Sequence, residues 1–178
     1  MVTQEKVNRG KKSRVDGKAF ENRVRADLEE SGWIVDRWNN NVEFEINKKF
    51  DIIGVRHPES EKDFEIKAKL IPSKAKWNNF TKSMMMGAGG FPDFICIKTD
   101  NRGSVISFGT YEVIGVECKT NGNLDKIEQE KCDWLLRNRI FNKILIAEKT
   151  KVKNKIVIKY HDFEDKYGTR RNNKNMSA

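Results

Sequence analysis

Tyr111-Glu-Val-Ile-Gly-Val-Glu-Cys-Lys119 sets the centre of the fold. β-Branched and aromatic residues dominate the stretch, so it reads as a strand, and its apolar body ends in two charged residues, Glu117 and Lys119. Residues i and i+2 of a strand face the same way, which sets this carboxylate and this ammonium side by side. From Leu124 to about Asn138, residues Leu124, Ile127, Trp134 and Leu135 recur at helical spacing, introduced by Gly122-Asn123. Lys143-Ile-Leu-Ile-Ala147 then returns as a strand. Strand, helix and strand in that order predict a parallel pair joined by a right-handed crossover. Upstream lies a further strand, Phe94-Ile-Cys-Ile-Lys98, separated by the turn-prone Thr99-Asp-Asn-Arg-Gly103, and the resulting hairpin makes the sheet mixed.

Working outward, Asp16 to Gly32 is an amphipathic helix with Phe20, Val24 and Leu28 at i, i+4 and i+8, Asp16 as its cap and Gly32 as its stop. Trp33 to Trp38 reads as a strand and Asn39-Asn40-Asn41 as a polar break. The runs Phe50–Val55 and Asp63–Leu70, joined by His57-Pro-Glu-Ser60, form a hairpin, and residues 71 to 90 read as a long mobile loop. Its Gly87-Ala-Gly-Gly90 lacks the spacing of a dinucleotide-binding loop, and no P-loop signature occurs. Lys155 to Tyr160 closes the fold as a strand, and no repeat is evident. The expectation is one α/β domain over residues 16–165, with an inserted hairpin and loop at about 42–90 and basic flexible tails at 1–15 and 166–178.

The chain has 178 residues, 37% of them hydrophobic and 10% aromatic, enough for one packed core and too few for two full domains. No apolar run approaches the ~18 residues of a spanning helix, so no membrane partner is expected. Cys96, Cys118 and Cys132 are odd in number and make no CxxC pair, which fits a reducing, cytoplasmic setting. The formal charge is +9. Residues 1–18 contribute +4 and residues 166–178 another +4, leaving the body at +1. Basic ends on a nearly neutral body point to an anionic partner, DNA foremost, contacted by Lys11, Lys12, Arg14, Lys18, Arg170 and Arg171.

Two histidines, His57 and His161, stand away from any cysteine and read as surface imidazoles, so zinc and histidine-dependent chemistry are poor readings. No GxSxG elbow is present. What remains is carboxylate and lysine. Asp93 enters one strand after Gly90-Phe-Pro, and pairing of that strand with the next can bring it opposite Glu117 and Lys119. Charges at the end of apolar strands are costly unless a cation or substrate uses them. Two carboxylates and a backbone carbonyl suit Mg²⁺, which keeps waters and takes further oxygens from phosphate.

Asp93, Glu117 and Lys119 resemble the signature of the PD-(D/E)XK nuclease superfamily. Gly90-Phe-Pro-Asp93, Val116-Glu-Cys-Lys119, Leu124 and Gln129 are similar to its VRR-NUC branch, and Gly17 to Glu21 resembles the first helix of archaeal Holliday-junction resolvases. The likeness spans roughly residues 16 to 147. It implies a restriction-endonuclease-like core, a mixed central sheet flanked by helices, and hydrolysis of DNA phosphodiesters with Mg²⁺ or Mn²⁺. Asp93, Glu117 and the Cys118 carbonyl would bind the metal, Glu21 would assist, Lys119 would orient or help deprotonate water, and Gln129 would steady the lysine or the water.

A junction-resolving or repair-type endonuclease, in the resolvase case a homodimer, and a restriction-type endonuclease both stay open. So does a non-catalytic nucleic-acid-binding protein on a degenerate nuclease fold. A second D…ExK pattern, Asp51 with Glu65-Ile-Lys67, competes for the site. The later set is favoured because a helix follows it, whereas Pro72 and an aperiodic stretch follow Lys67. Glu21 also reads as an ordinary exposed helix glutamate, and Met84 to Met86 as loop filler. Trp38, Trp77, Phe80 and nearby lysines suit base stacking as well as loop anchoring.

Overall fold

The computed structural model describes residues 4–45, 67–73, 75–78, 82–85, 90–100, 110–153 and 155–168. The N-terminal half holds α1 (Gln4–Glu30), β1 (Ile34–Arg37), β2 (Asn40–Phe44), β3 (Ala68–Pro72), β4 (Lys76–Asn78) and β5 (Ser83–Met85). The C-terminal half holds β6 (Phe94–Asp100), β7 (Thr110–Lys119), α2 (Lys126–Arg137), β8 (Lys143–Val152), β9 (Lys155–Asp162) and a closing helical turn, Glu164–Gly168. Five strands make one sheet in the order β1-β6-β7-β8-β9. β7 and β8 run parallel and every other pair in the sheet is antiparallel. The architecture is thus mixed α/β with a mixed central sheet, and the parallel pair is the one that α2 connects.

Strand alternation sorts side chains into two apolar layers. Ile114 and Val116 of β7, with Phe94 and Cys96 of β6, meet Phe20, Val24 and Leu28 of α1. Ile144 and Ile146 of β8 meet Cys132 and Leu135 of α2, joined by Phe141 and Phe163. Each fully buried side chain of this size contributes about 1.5–3 kcal/mol, so the two helices are held mainly by these stripes. Tyr160 of β9 also donates its hydroxyl to Asp27 of α1 at 2.8 Å. The chain leaves α1 through Gly32 at φ 83°, as its position after the helical pattern indicates.

Several expectations are corrected. The helix begins at Gln4, not near Asp16, so residues 4–15 are its leading turns rather than a separate tail. Lysine, arginine and glutamate are good helix formers, and Gly10 and Gly17 each weaken such a run by only ~1 kcal/mol. A Cβ at Gly17 would have nothing within 4 Å. Gly17→Ala should therefore raise the unfolding free energy by about 1 kcal/mol in chemical denaturation, with no other change. An unchanged or lower midpoint would show that α1 is not helical through Gly17 in the folded state.

The break expected at Asn39 to Asn41 falls instead at Trp38-Asn39, between β1 and β2, because Asn40 and Asn41 open β2, which pairs antiparallel with β3, Val42 against Leu70. Pairing and the burial of Val42, 4% exposed, override the weak strand preference of asparagine. The long loop expected from 71 to 90 is interrupted by a second small hairpin, β4 with β5. Phe50 to Val55, His57 to Ser60 and the first residues of the run ending at Leu70 lie outside the described residues. At the other end, Lys166 donates to the Gly122 carbonyl and the Tyr167 hydroxyl accepts from the Leu124 N–H, so residues up to 168 belong to the packed domain. Residues 169–178 lie outside the described set. Ile127, expected on the inner face of α2, is exposed because the neighbouring Glu128 takes the inward position in that turn. Among the described residues no helix is long and apolar enough to cross a membrane.

Candidate active site

The site forms where β6 begins and β7 ends. Antiparallel pairing of Phe94 with Val116 places Asp93 opposite Glu117. Gly90 makes the entry to β6 possible, since a Cβ there would lie 2.0 Å from the Trp38 carbonyl oxygen. Phe91 and Pro92, joined by a cis peptide and both buried, complete the approach. The two carboxylates then cross-link the strand ends reciprocally. Glu117 Oε2 accepts from the Asp93 N–H at 3.1 Å, and Asp93 Oδ2 accepts from the Cys118 N–H at 2.9 Å. One oxygen of each group is thereby fixed.

Lys119 stands on the same face as Glu117, as its i+2 position dictates, and its ammonium lies 3.0 Å from Glu117 Oε1. Its second partner is Glu128 of α2 at 2.5 Å. Glu128 was not foreseen as a site residue. Its other oxygen accepts the Asp125 N–H at 3.0 Å while Asp125 accepts the Glu128 N–H at 2.8 Å, a reciprocal cap on α2. Asp-x-x-Glu before a helical run is a legible sign of such a cap. What it does not disclose is that the capping glutamate also reaches the lysine. Gln129, expected to steady the lysine or the water, donates its amide to the Leu124 carbonyl at 3.0 Å, while Glu128 holds the lysine. A shift of one residue turns a helix by about 100°, enough to exchange the two roles.

On the α1 side, Glu21 lies 2.6 Å from the Arg37 guanidinium and 3.2 Å from the Lys18 ammonium. Arg37 pairs with Phe94 across β1 and β6, so this ion pair borders Asp93. Both charges are felt there, Glu21 raising the Asp93 pKa and Arg37 lowering it. Glu21 is therefore next to the carboxylate pair but already engaged.

Electrostatically the centre is overloaded with negative charge. Glu117, 6% exposed, is the one charged residue in the buried class among those described. Burial, reinforced by Asp93, pushes its pKa up to about 8. Asp93 is raised too, by burial first, against the opposing Cys118 N–H bond. Burial alone would lower the Lys119 pKa, but Glu117 and Glu128 together hold it above its ordinary value. The lysine thus remains a cation bridging Glu117 and Glu128. Glu117, the deepest of the three carboxyls, is the group that takes up a proton to relieve the surplus. Burial likewise raises the Cys118 thiol, so it offers no thiolate at neutral pH.

Elsewhere, His161 is a half-buried imidazole 2.6 Å from Glu148 rather than a free surface group. His57, Asp51 and Glu65 lie outside the described residues, and Lys67, the last of the competing set, is exposed. Lys12, Arg14 and Lys18 are exposed on α1, whereas Lys11 has no described side chain and Arg170 and Arg171 lie outside the described set. Comparison with protein-family models, with curated proteins and with solved structures gives no match.

Proposed function

We propose that this chain is a metal-dependent nuclease of the PD-(D/E)XK type, hydrolysing DNA phosphodiester bonds at a centre built from Asp93, Glu117 and Lys119. The observation that carries the reading is the pair of carboxylates locked across two strand ends with a charged lysine beside them. Such a cluster is held at a cost in stability that a divalent cation would relieve.

The donor chemistry fits Mg²⁺ or Mn²⁺. Asp93 and Glu117 offer hard carboxylate oxygens, and the Cys118 carbonyl is a third donor of the same kind. No set of three or more Asp, Glu, His or Cys side chains gathers into a metal cage among the described residues. Mg²⁺ usually keeps several waters and takes further oxygens from phosphate, so it needs few protein ligands. When bound, the cation would supply Lewis-acid stabilisation of the phosphate and a more acidic water. The chain's own residues do the rest. Lys119, kept charged by Glu117 and Glu128, meets the developing negative charge on the phosphate and orients the water by hydrogen bonding. Glu128 holds its ammonium in place, and Arg37 keeps Glu21 beside the pair.

The test is a panel of labelled single-stranded, flapped, four-way-junction and duplex DNAs incubated with Mg²⁺, with Mn²⁺ and with EDTA. Cleavage with either metal and none in EDTA supports the reading. Binding that persists in EDTA with no cleavage of any substrate would replace it with a non-catalytic nucleic-acid-binding role.

Phosphate attraction is assigned to the exposed cations of α1. Neutralising Lys12 and Arg14 with glutamine should make the plot of log affinity against log salt shallower by about one for each phosphate contact removed. Cleavage at low salt should remain. An unchanged slope would take α1 out of the DNA-binding surface.

A further inference from the structure

Between Glu65 and Asp93 the chain carries five lysines, Lys67, Lys69, Lys74, Lys76 and Lys82, and no acidic residue. In the middle of this stretch β4 and β5 form a two-stranded sheet of their own, outside the central sheet. Trp77 and Met84 are direct cross-strand partners there. Both are turned to solvent, Trp77 at 55% and Met84 at 50% exposure. A tryptophan and a methionine side by side on a small isolated hairpin bury little within the fold, and an exposed apolar pair set in cationic chain is suited to a ligand with flat apolar faces and negative charge. Along the chain Asp93 follows Met85 by eight residues, a span of at most ~29 Å.

We propose that the β4–β5 hairpin is a base-stacking arm. Trp77, backed by Met84, stacks on an unpaired base while the exposed Lys67 and Lys82 attract the phosphates. The substrate class of the Asp93 and Glu117 centre is then DNA with unpaired bases beside the cut, rather than continuous duplex. In a duplex every base face is already covered by its neighbour, so the indole gains a partner only where a strand is open. The inference deepens the nuclease reading and rests on it for the identity of the anionic partner.

The experiment is fluorescence titration of the full chain with oligothymidylate in EDTA, where binding is read without cleavage, and with a matched duplex alongside. Tryptophan emission should be quenched by the single strand and much less by the duplex. Trp77→Ala should weaken binding of the single strand by roughly 5- to 150-fold, the usual contribution of one stacked base, with duplex affinity unchanged. Trp77→Phe should keep most of the affinity and lose the quenching, an outcome that does not depend on the stability of the alanine variant. Quenching that survives Trp77→Phe, or equal losses for single strand and duplex, would overturn the proposal. So would a dimer, seen by light scattering, that Trp77→Ala dissolves while oligonucleotide binding stays as it was. Cleavage measured in Mg²⁺ separates the two readings. Intact cleavage with no effect of Trp77→Ala on binding defeats the arm alone, whereas stacking without any cleavage defeats the nuclease and leaves the arm.

Discussion

Asp93→Asn and Lys119→Met are each expected to lower Mg²⁺-dependent DNA cleavage by at least ~10²-fold, the scale on which removal of one aligned charge-stabilising group acts. The two substitutions are chosen to spare the fold. Asparagine keeps an oxygen able to accept the Cys118 N–H that Asp93 now accepts at 2.9 Å, so the strand ends stay joined while the anionic charge is lost. Methionine retains the aliphatic length of Lys119 and removes only the ammonium that bridges Glu117 and Glu128. Melting temperatures would establish that both variants are folded. Undiminished cleavage by folded Asp93→Asn and folded Lys119→Met would falsify the assignment of this centre. Asp51→Asn and Glu65→Gln, made in parallel, separate the two D…ExK patterns, because loss of cleavage in those variants alone would move the chemistry to the earlier set. Glu128→Gln should behave differently from both. It keeps a hydrogen-bond acceptor for the ammonium but removes its counter-charge, so a partial loss of rate is expected, growing as the lysine becomes less firmly held.

The second large effect is on stability. Without metal, unfolding free energy should fall as the pH rises from about 5 to about 8 and then level off. The folded state holds the Glu117 proton up to about 8, whereas the unfolded chain releases it near the ordinary 4.5. Between those values the native state binds more protons than the unfolded one, so stability declines with pH in that window. Below it both states are protonated, and above it the native state bears the full cost of a buried carboxylate. At ~1.4 kcal/mol per unit of difference, the decline amounts to a few kcal/mol. Asp93, raised by the same burial, acts in the same direction. Glu117→Gln should flatten the profile and exceed the native chain in stability at alkaline pH. Mg²⁺ should raise the melting temperature of the native chain at pH 8 and have little effect on the glutamine variant, since a ligand stabilises only the state that binds it. A native chain whose stability is level from pH 5 to 8, or rises, would show that Glu117 is not held protonated by its surroundings.

The core of the fold was legible because its signals are local. Phe20, Val24 and Leu28 at helical spacing, and the β-branched run ending at Lys119, each state which face is apolar, and burial follows that statement closely. The parallel β7–β8 pair followed from chain order, since a strand, a helix and a strand have few ways to return to one sheet. Illegible parts depended on partners distant in sequence. Asn40 and Asn41 look like a turn until Ile71 and Pro72 pair with them. Lys166 and Tyr167 look like the start of a basic tail until Gly122 and Leu124 provide bonds. The first turns of α1 were missed for another reason: a cationic run interrupted by Gly10 carries no apolar stripe to reveal its period.

At the candidate centre the same division holds. The sequence by itself determined that a carboxylate and a lysine share one face at the end of β7, because strand periodicity has no alternative, and that Asp93 begins the neighbouring strand. It also determined the basic character of the chain and the acid-free stretch around Trp77. Only the tertiary structure decided that Asp93 and Glu117 lock together through each other's backbone, that burial raises both, and that Glu128 rather than Gln129 holds Lys119. These outcomes turn on register between strands and on the rotation of one helix against a sheet. Both are set by the packing of whole apolar faces, and a single residue's slip in either would deliver a different side chain to the same place.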